Sequence, residues 1–116
     1  MQIEIRAVDF ELTERLRAHV LHRLHFALWR FHERVSRVTV RLSDLNGPRG
    51  GVDKACRVRI RLHGMTDIRI EDAEEDLYVA ISRAADRAGR TLGRRLHRGH
   101  GDNYAVTVRS ERERTE

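Results

Sequence analysis

Arginines at positions 83, 87, 90, 94 and 98 recur at steps of three and four residues. On a helix that spacing sets them in one stripe, about 22 Å long at 1.5 Å per residue. A guanidinium stays charged and grips phosphate oxygens through two parallel N–H donors. The chemistry such a ridge offers is recognition of a phosphate backbone. No acid interrupts the segment from Arg87 to Arg98, whereas an ordinary solvated helix mixes signs. The bland alternative is a solvated face whose cations suit the negative end of the helix dipole. The absence of acids favours RNA contact.

A second set of candidates precedes it. Arg15, His19, His22, Arg23, Phe26, Trp29 and Arg30 fall off the apolar stripe of an earlier helical segment. Aromatic rings among cations can stack on unpaired bases. Packing against the second helix is the preferred reading for Phe26. Trp29 is balanced between base stacking and packing on the C-terminal segment. His19, His22, His25 and His32 lack a supporting Cys or carboxylate cluster, so they read as surface histidines and no metal site is expected.

Other chemistry is sparse. Arginines 37, 41, 57, 59, 61 and 69 point outward from strand patterns, with no aromatic of the kind an RNA-recognition-motif sheet carries. A solvated face crossed by pairs with Glu4, Asp67 and Glu71 is the favoured reading there. Gly47-Pro48-Arg49-Gly50 spells the Gly-x-x-Gly of KH domains but joins two strands rather than two helices. It lacks the Gly-Lys-Ser/Thr of a P-loop. Arg49 and Lys54 on that hairpin are additional candidate RNA contacts. Ser43 and Asp44 have no nucleophile-elbow or triad context, so no enzyme, cofactor or small-molecule substrate is expected.

Composition agrees. The 116 residues suffice for one domain with a core filled by Leu, Ile, Val and Ala. The net charge of +5 favours an anionic partner, nucleic acid above all; a binder of structured RNA and, from another class, a protein-interaction module pairing through its sheet edge or tail are the alternatives these residues leave open. Lys54 is the lone lysine among 23 basic residues. A GC-rich genome would explain that bias but not its clustering. Cys56 cannot form an internal disulfide and reads as a small core residue. The opening Met-Gln-Ile-Glu-Ile-Arg is no signal pattern and no apolar stretch is long enough to span a membrane, so a soluble cytoplasmic protein is expected.

These residues need elements to position them. Residues 2–8 alternate as a strand. Thr13 is a candidate N-cap, with Glu14 in the first turn. Leu16, Val20, Leu24, Ala27, Phe31 and Val35 predict one helix to about Arg34. Residues 37–43 alternate again, and 44–53 form a turn-rich loop. Residues 54–62 are a strand, His63-Gly64 a turn, and Ile68 with Ile70 a fourth strand. Asp72 with Glu75 suggests a capping box, and Asp76 a later start, for a helix running to about Leu96. The order β-α-β-β-β-α implies an α+β fold. Strand one lies parallel to its neighbour through a crossover, strands two to four form an antiparallel meander, and both helices cover one sheet face. Ala85, Gly89 and Gly93 predict close approach of the first helix. Gly99 to Asn103 are expected to break the second helix, leaving residues 1–98 as the domain. Residues 99–116 are expected to be a polar tail with a short extra strand from Asn103 to Arg109 and a disordered end.

The sequence resembles the hibernation-promoting factor and ribosome-associated inhibitor A family over roughly residues 1–98. The resemblance rests on Met1-Gln2-Ile3-x-Ile5, on Leu12-Thr13-Glu14-x-Leu16-Arg17, on Asp76-Leu77-Tyr78-x-Ala80-Ile81 and on the spacing of Arg87, Arg90 and Arg94. It implies a fold related to double-stranded-RNA-binding domains with an added first strand. It implies binding to 16S rRNA of the small ribosomal subunit and to the 70S ribosome, occlusion of the mRNA and tRNA channel, and silencing of translation in idle cells. Arg23, Arg87, Arg90 and Arg94 match basic positions of the family. With Arg30, Arg83 and Arg98 they form the expected rRNA-binding set, to which Arg15, Arg49, Lys54 and Trp29 are additional candidates. Phe26 stands where a basic residue is common, Ser82 where an acid is common, and the Asn46–Gly51 loop and Trp29 depart from the short members. The extra C-terminal dimerisation domain of long members has no counterpart in these residues.

Overall fold

The alternating and helical segments assemble into a four-stranded sheet backed by two helices. The computed structural model describes residues 1–44 and 52–104, with 98–104 described as backbone. The elements are β1 (Gln2–Val8), α1 (Glu14–Leu28), a 3₁₀ turn (Trp29–Phe31), β2 (Val35–Asp44), β3 (Lys54–Leu62), β4 (Ile68–Glu74) and α2 (Leu77–Tyr104). The strands lie in the order β1-β2-β3-β4. β1 runs parallel to β2, and the remaining pairs are antiparallel. A parallel pair needs a crossover, which α1 supplies.

Each strand has one apolar face, so both helices lie on the same side. Leu16, Val20, Leu24 and Leu28 of α1 and Ile81, Ala84, Ala88 and Leu92 of α2 close over Val38, Val40, Leu42, Val58 and Ile60 of the sheet. Cys56 is buried among them. Among the described residues, no helix is long and apolar enough to cross a membrane.

Side chains define both helix starts. Thr13 Oγ1 accepts the Leu16 N–H at 3.2 Å, an N-cap that satisfies one of the unpaired donors of the first turn. Asp76 Oδ1 accepts the Tyr78 N–H at 2.8 Å, and the Asp76 carbonyl accepts the Ala80 N–H at 3.0 Å. Asp76 is therefore the cap of α2, and the Asp72–Glu75 box does not form. Asp72 and Glu74 instead continue the inward-facing positions of β4 after Ile68 and Ile70.

Three boundaries differ from the periodicity. α1 ends at Leu28, not near Arg34, and tightens into the 3₁₀ turn. The His32 backbone N–H donates to the Trp29 carbonyl at 3.0 Å, a short ring that turns the chain toward the sheet. β2 begins two residues before the alternation does, because its register with β3 shifts between Val35 and Arg37. Ser36 is the extra residue, and its hydroxyl donates to the Arg61 carbonyl at 3.1 Å. The bulge lets Val35 and Val38 both face the core. α2 runs on to Tyr104 rather than stopping near Leu96. Helical glycines at 99 and 101 each cost about 1 kcal/mol against alanine, but without a proline nothing blocks the next i→i−4 bond. Asn103 and Tyr104 are thus helical, not strand; the rest of the expected extra strand and tail lies outside the described residues. So do Asn46–Gly51 and Arg49.

The helices run parallel and nearly in register. His19 meets Ser82 at 3.0 Å and Arg23 meets Asp86 at 2.9 Å. Farther along, Gly89 faces Ala27 and Gly93 faces Phe31. A Cβ on Gly89 would stand 2.9 Å from the Ala27 carbonyl oxygen, so close approach at this point requires glycine, as the small-residue strip predicts.

Candidate nucleic-acid interface

The core stripe of α2 packs on the sheet and the strip Ala85, Gly89, Gly93 faces α1. The remaining outward direction carries the arginine ridge. Arg83, Arg87, Arg90 and Arg94 are all exposed, and the same helix layer adds exposed Arg15, His22 and Phe26 from α1 and Trp29 and Arg30 from the 3₁₀ turn. The outer surface of the helix layer is therefore a cationic face with aromatic rings set into it. Arg98 continues the stripe by its position in α2.

The ridge is not uniform. Arg83 Nε lies 3.5 Å from Glu74. Arg87 Nη1 lies 3.5 Å from Asp72 and donates to the Glu71 carbonyl at 2.7 Å. These two arms fold over the edge strand β4, where the inward acids await them. Glu74 is pushed above its ordinary value, first by its hydrogen bond with Asp72 and then by desolvation. The neighbouring Asp72 charge thus favours the protonated form of Glu74, and Arg83 opposes that shift. The arginine ends of these pairs stay open, 65% and 45% exposed, over half-buried carboxylates, so each guanidinium keeps donors free for a phosphate.

Arg90 and Arg94 differ. Neither has a carboxylate partner among the described residues; Arg94 reaches only Thr91 Oγ1, at 3.5 Å. Among the described residues they are the part of the ridge whose charge is not spent on an ion pair. Arg95, next to the ridge, instead leans toward the β3–β4 turn and donates to the Thr66 carbonyl at 2.8 Å.

On α1, Arg23 bridges to Asp86 of α2 and its side chain is 30% exposed, so it is shared between positioning the helices and facing solvent. Spacing carries no signal for this pair, since its members lie 63 residues apart. Arg30 rests over the Phe31 ring at 4.6 Å. Phe26 does not pack against α2: it is 81% exposed. Helix rotation explains this, because Ala27, one position on, takes the contact with Gly89. Trp29 is 56% exposed, stacked on His32 at 4.1 Å and 7°. Arg15, Ala18, His19, His22 and Tyr78 line an open depression between the helix starts. The His19 ring bridges it to α2 through the Tyr78 carbonyl at 3.3 Å and Ser82.

Lys54 is drawn away from this face. Its ammonium lies 3.0 Å from Asp53 and 3.3 Å from Asp44. The hydrogen bond to Asp53 raises its pKa, partly opposed by desolvation. A lysine held between two carboxylates is a structural ion cluster on the hairpin base.

The open sheet face carries the pairs expected of a solvated surface. Arg37 meets Glu4 at 3.1 Å, Arg57 meets Glu71 at 3.3 Å and Arg59 meets Asp67 at 2.7 Å. Arg59 holds the Asp67 carboxyl below its ordinary value. Arg61 and Arg69 have no ion pair with a described residue. Among the described residues no group of three or more His, Cys, Asp or Glu is placed to hold a metal ion.

The fold has known counterparts. A structure of a ribosomal subunit interface protein from Coxiella burnetii is similar with a TM-score of 0.68 and 15% identity, covering 84% of this chain and 99% of that one. This likeness speaks to the fold. The N-terminal domain of Protein Y from Thermus thermophilus is similar at 28% identity and a TM-score of 0.66, covering 81% of this chain and 98% of that domain. No curated protein matches. The family described as Sigma 54 modulation protein / S30EA ribosomal protein matches residues 3–99. With the β-α-β-β-β-α order and the helix-two arginines within that span, the chain belongs to this family.

Proposed function

We propose that this protein binds the small ribosomal subunit, in the free particle and in the 70S ribosome, by laying the outer face of its helix layer on 16S rRNA. The observation that carries the reading is the ridge on α2, where Arg90 and Arg94 stand exposed without carboxylate partners among the described residues. Family membership supports a ribosomal partner, because the family is described as including a ribosomal protein and a structural neighbour as a ribosomal subunit interface protein. In this reading Arg23, Arg30, Arg83, Arg87, Arg90, Arg94 and Arg98 approach phosphates, with Arg15 at the rim. Occupying the mRNA and tRNA channel then silences translation by occlusion, with no bond made or broken.

Purified protein should pellet with 30S or 70S particles at low salt and be released at several hundred millimolar salt, roughly as multiple phosphate contacts require. It should also inhibit cell-free translation and compete with initiator tRNA. Failure to pellet at any salt would sink the ribosomal partner. Tight binding with unchanged translation and tRNA occupancy would place the site elsewhere on the particle.

A further inference from the structure

We propose that Trp29 is a stacking platform for one unpaired rRNA base, with Phe26 as the adjoining ring. This inference rests on the ribosomal reading and deepens it, adding base contact to phosphate contact. Three observations carry it. The indole is held in place: the His32 imidazole lies parallel to it at 4.1 Å and 7°. That imidazole is fixed in turn, because its Nδ1 lies 2.7 Å from the Trp29 carbonyl, which makes Nδ1 the donor. His25 sets a perpendicular ring beside it at 5.9 Å. Even so, 56% of Trp29 and 81% of Phe26 remain open to solvent, so among the described residues nothing occupies this prearranged aromatic surface.

The surroundings select the occupant. Arg30 follows Trp29 in the 3₁₀ turn and Arg34 closes the segment; neither has an ion pair with a described residue, and from His22 to Arg34 the sequence holds a single acid, Glu33. Two imidazoles, His25 and His32, adjoin the indole. An apolar protein surface docking there would strand those charges away from water, which is costly. A nucleotide brings a flat base for the ring and a phosphate for the nearby arginine, and so satisfies both. Trp29 also opens the 3₁₀ turn whose next residues, Arg30 and Phe31, stand 3.5 Å and 3.4 Å from the Cβ position of Gly93, so the base contact lies at the end of the seam between α1 and α2.

Trp29 is the only tryptophan, so intrinsic fluorescence reports on it directly. Protein-free 16S rRNA and 30S particles should both quench it. Inorganic polyphosphate, which offers charge without bases, should bind without that quenching. Trp29→Ala should weaken 30S binding by about 5- to 150-fold, the fold-change equivalent of the 1 to 3 kcal/mol that a base–aromatic stack supplies. Trp29→Tyr should restore most of it. Equal quenching by polyphosphate, or 30S binding with unquenched Trp29, overturns the stacking proposal and leaves the ribosomal reading standing. Quenching on 30S particles but not on protein-free 16S rRNA assigns the patch to a ribosomal protein and overturns it as well. No binding to 30S at all overturns both. The wild-type fluorescence test does not depend on whether Trp29→Ala folds.

Discussion

Cys56 shows how a single residue's environment decides its chemistry. Its thiol is pushed up to about 12, first by burial and then by the Asp72 charge. The thiolate is the reactive species, so the folded protein should not react with a thiol-specific reagent at pH 8. Labelling should appear only as urea unfolds the chain; fast labelling of the native protein would contradict the burial. A stability consequence follows with a definite sign. The folded thiol keeps its proton up to about pH 12, whereas the unfolded one loses it around its ordinary value of 9.0. Between these values the unfolded state binds fewer protons, so stability falls as pH rises. Urea midpoints should decline from about pH 9 to about pH 11, and less steeply in Cys56→Ala, which removes this titration. Lys54, raised by Asp53, contributes in the same direction as it deprotonates.

At the scale of elements, the packing of the two helices turns on which small residue sits where. Gly89 and Gly93 are one turn apart on α2, and both cost helix propensity. A methyl at Gly89 would meet backbone, the Ala27 carbonyl oxygen at 2.9 Å, and α1 would have to move. A methyl at Gly93 would meet only side-chain atoms, Phe31 Cζ at 3.4 Å and Arg30 Nη2 at 3.5 Å. Gly89→Ala should therefore destabilise: overpacking costs roughly 1 to 3 kcal/mol, against a propensity gain of about 1 kcal/mol. Gly93→Ala should be neutral or stabilising by up to about 1 kcal/mol. Thermal or urea unfolding of the two variants checks this, and equal effects would mean that helix spacing is set elsewhere. Asp76→Ala should cost about 1 kcal/mol by removing the cap, measured the same way.

For the whole molecule, placement of charge matters more than its sum. Strand register sets Arg37 opposite Arg61, Arg41 opposite Arg57 and Arg59 opposite Arg69. Like charges directly opposed on a sheet repel, so Arg61→Ala with Arg69→Ala should leave the fold intact or slightly stabilised. The pair Arg90→Ala with Arg94→Ala removes the same charge from the helix layer. It should also leave folding nearly unchanged, because alanine is the best helix former and neither arginine has a carboxylate partner among the described residues. Ribosome affinity should separate the two. The helix pair should weaken binding by roughly 1.5 to 3 kcal/mol per charge-assisted hydrogen bond before non-additivity. Its log–log salt slope should shrink by about 0.7 to 0.9 for each phosphate left unneutralised. An equal weakening by the sheet pair would reduce the effect to net charge and remove the binding site from the helices.

Element order, both core-facing helix stripes, the parallel first strand and the existence of the arginine ridge are all legible in the order of residues alone. They follow from periods of 2 and 3.6 residues, which backbone geometry imposes locally. Close helix approach at Gly89 is legible for the same reason. The site is legible only in outline. That Arg83 and Arg87 spend their charge on β4 while Arg90 and Arg94 do not depends on where Asp72 and Glu74 point. That in turn depends on β4 continuing past Ile70 and on Asp76, not Asp72, capping α2. The early start of β2 is hidden because the bulge at Ser36 breaks alternation. The exposure of Phe26 is hidden because Ala27 occupies the position facing Gly89. These points were decided in the folded state, since each is a choice among partners far apart in the chain. Packing and charge settle such a choice in three dimensions, and local spacing carries no record of it.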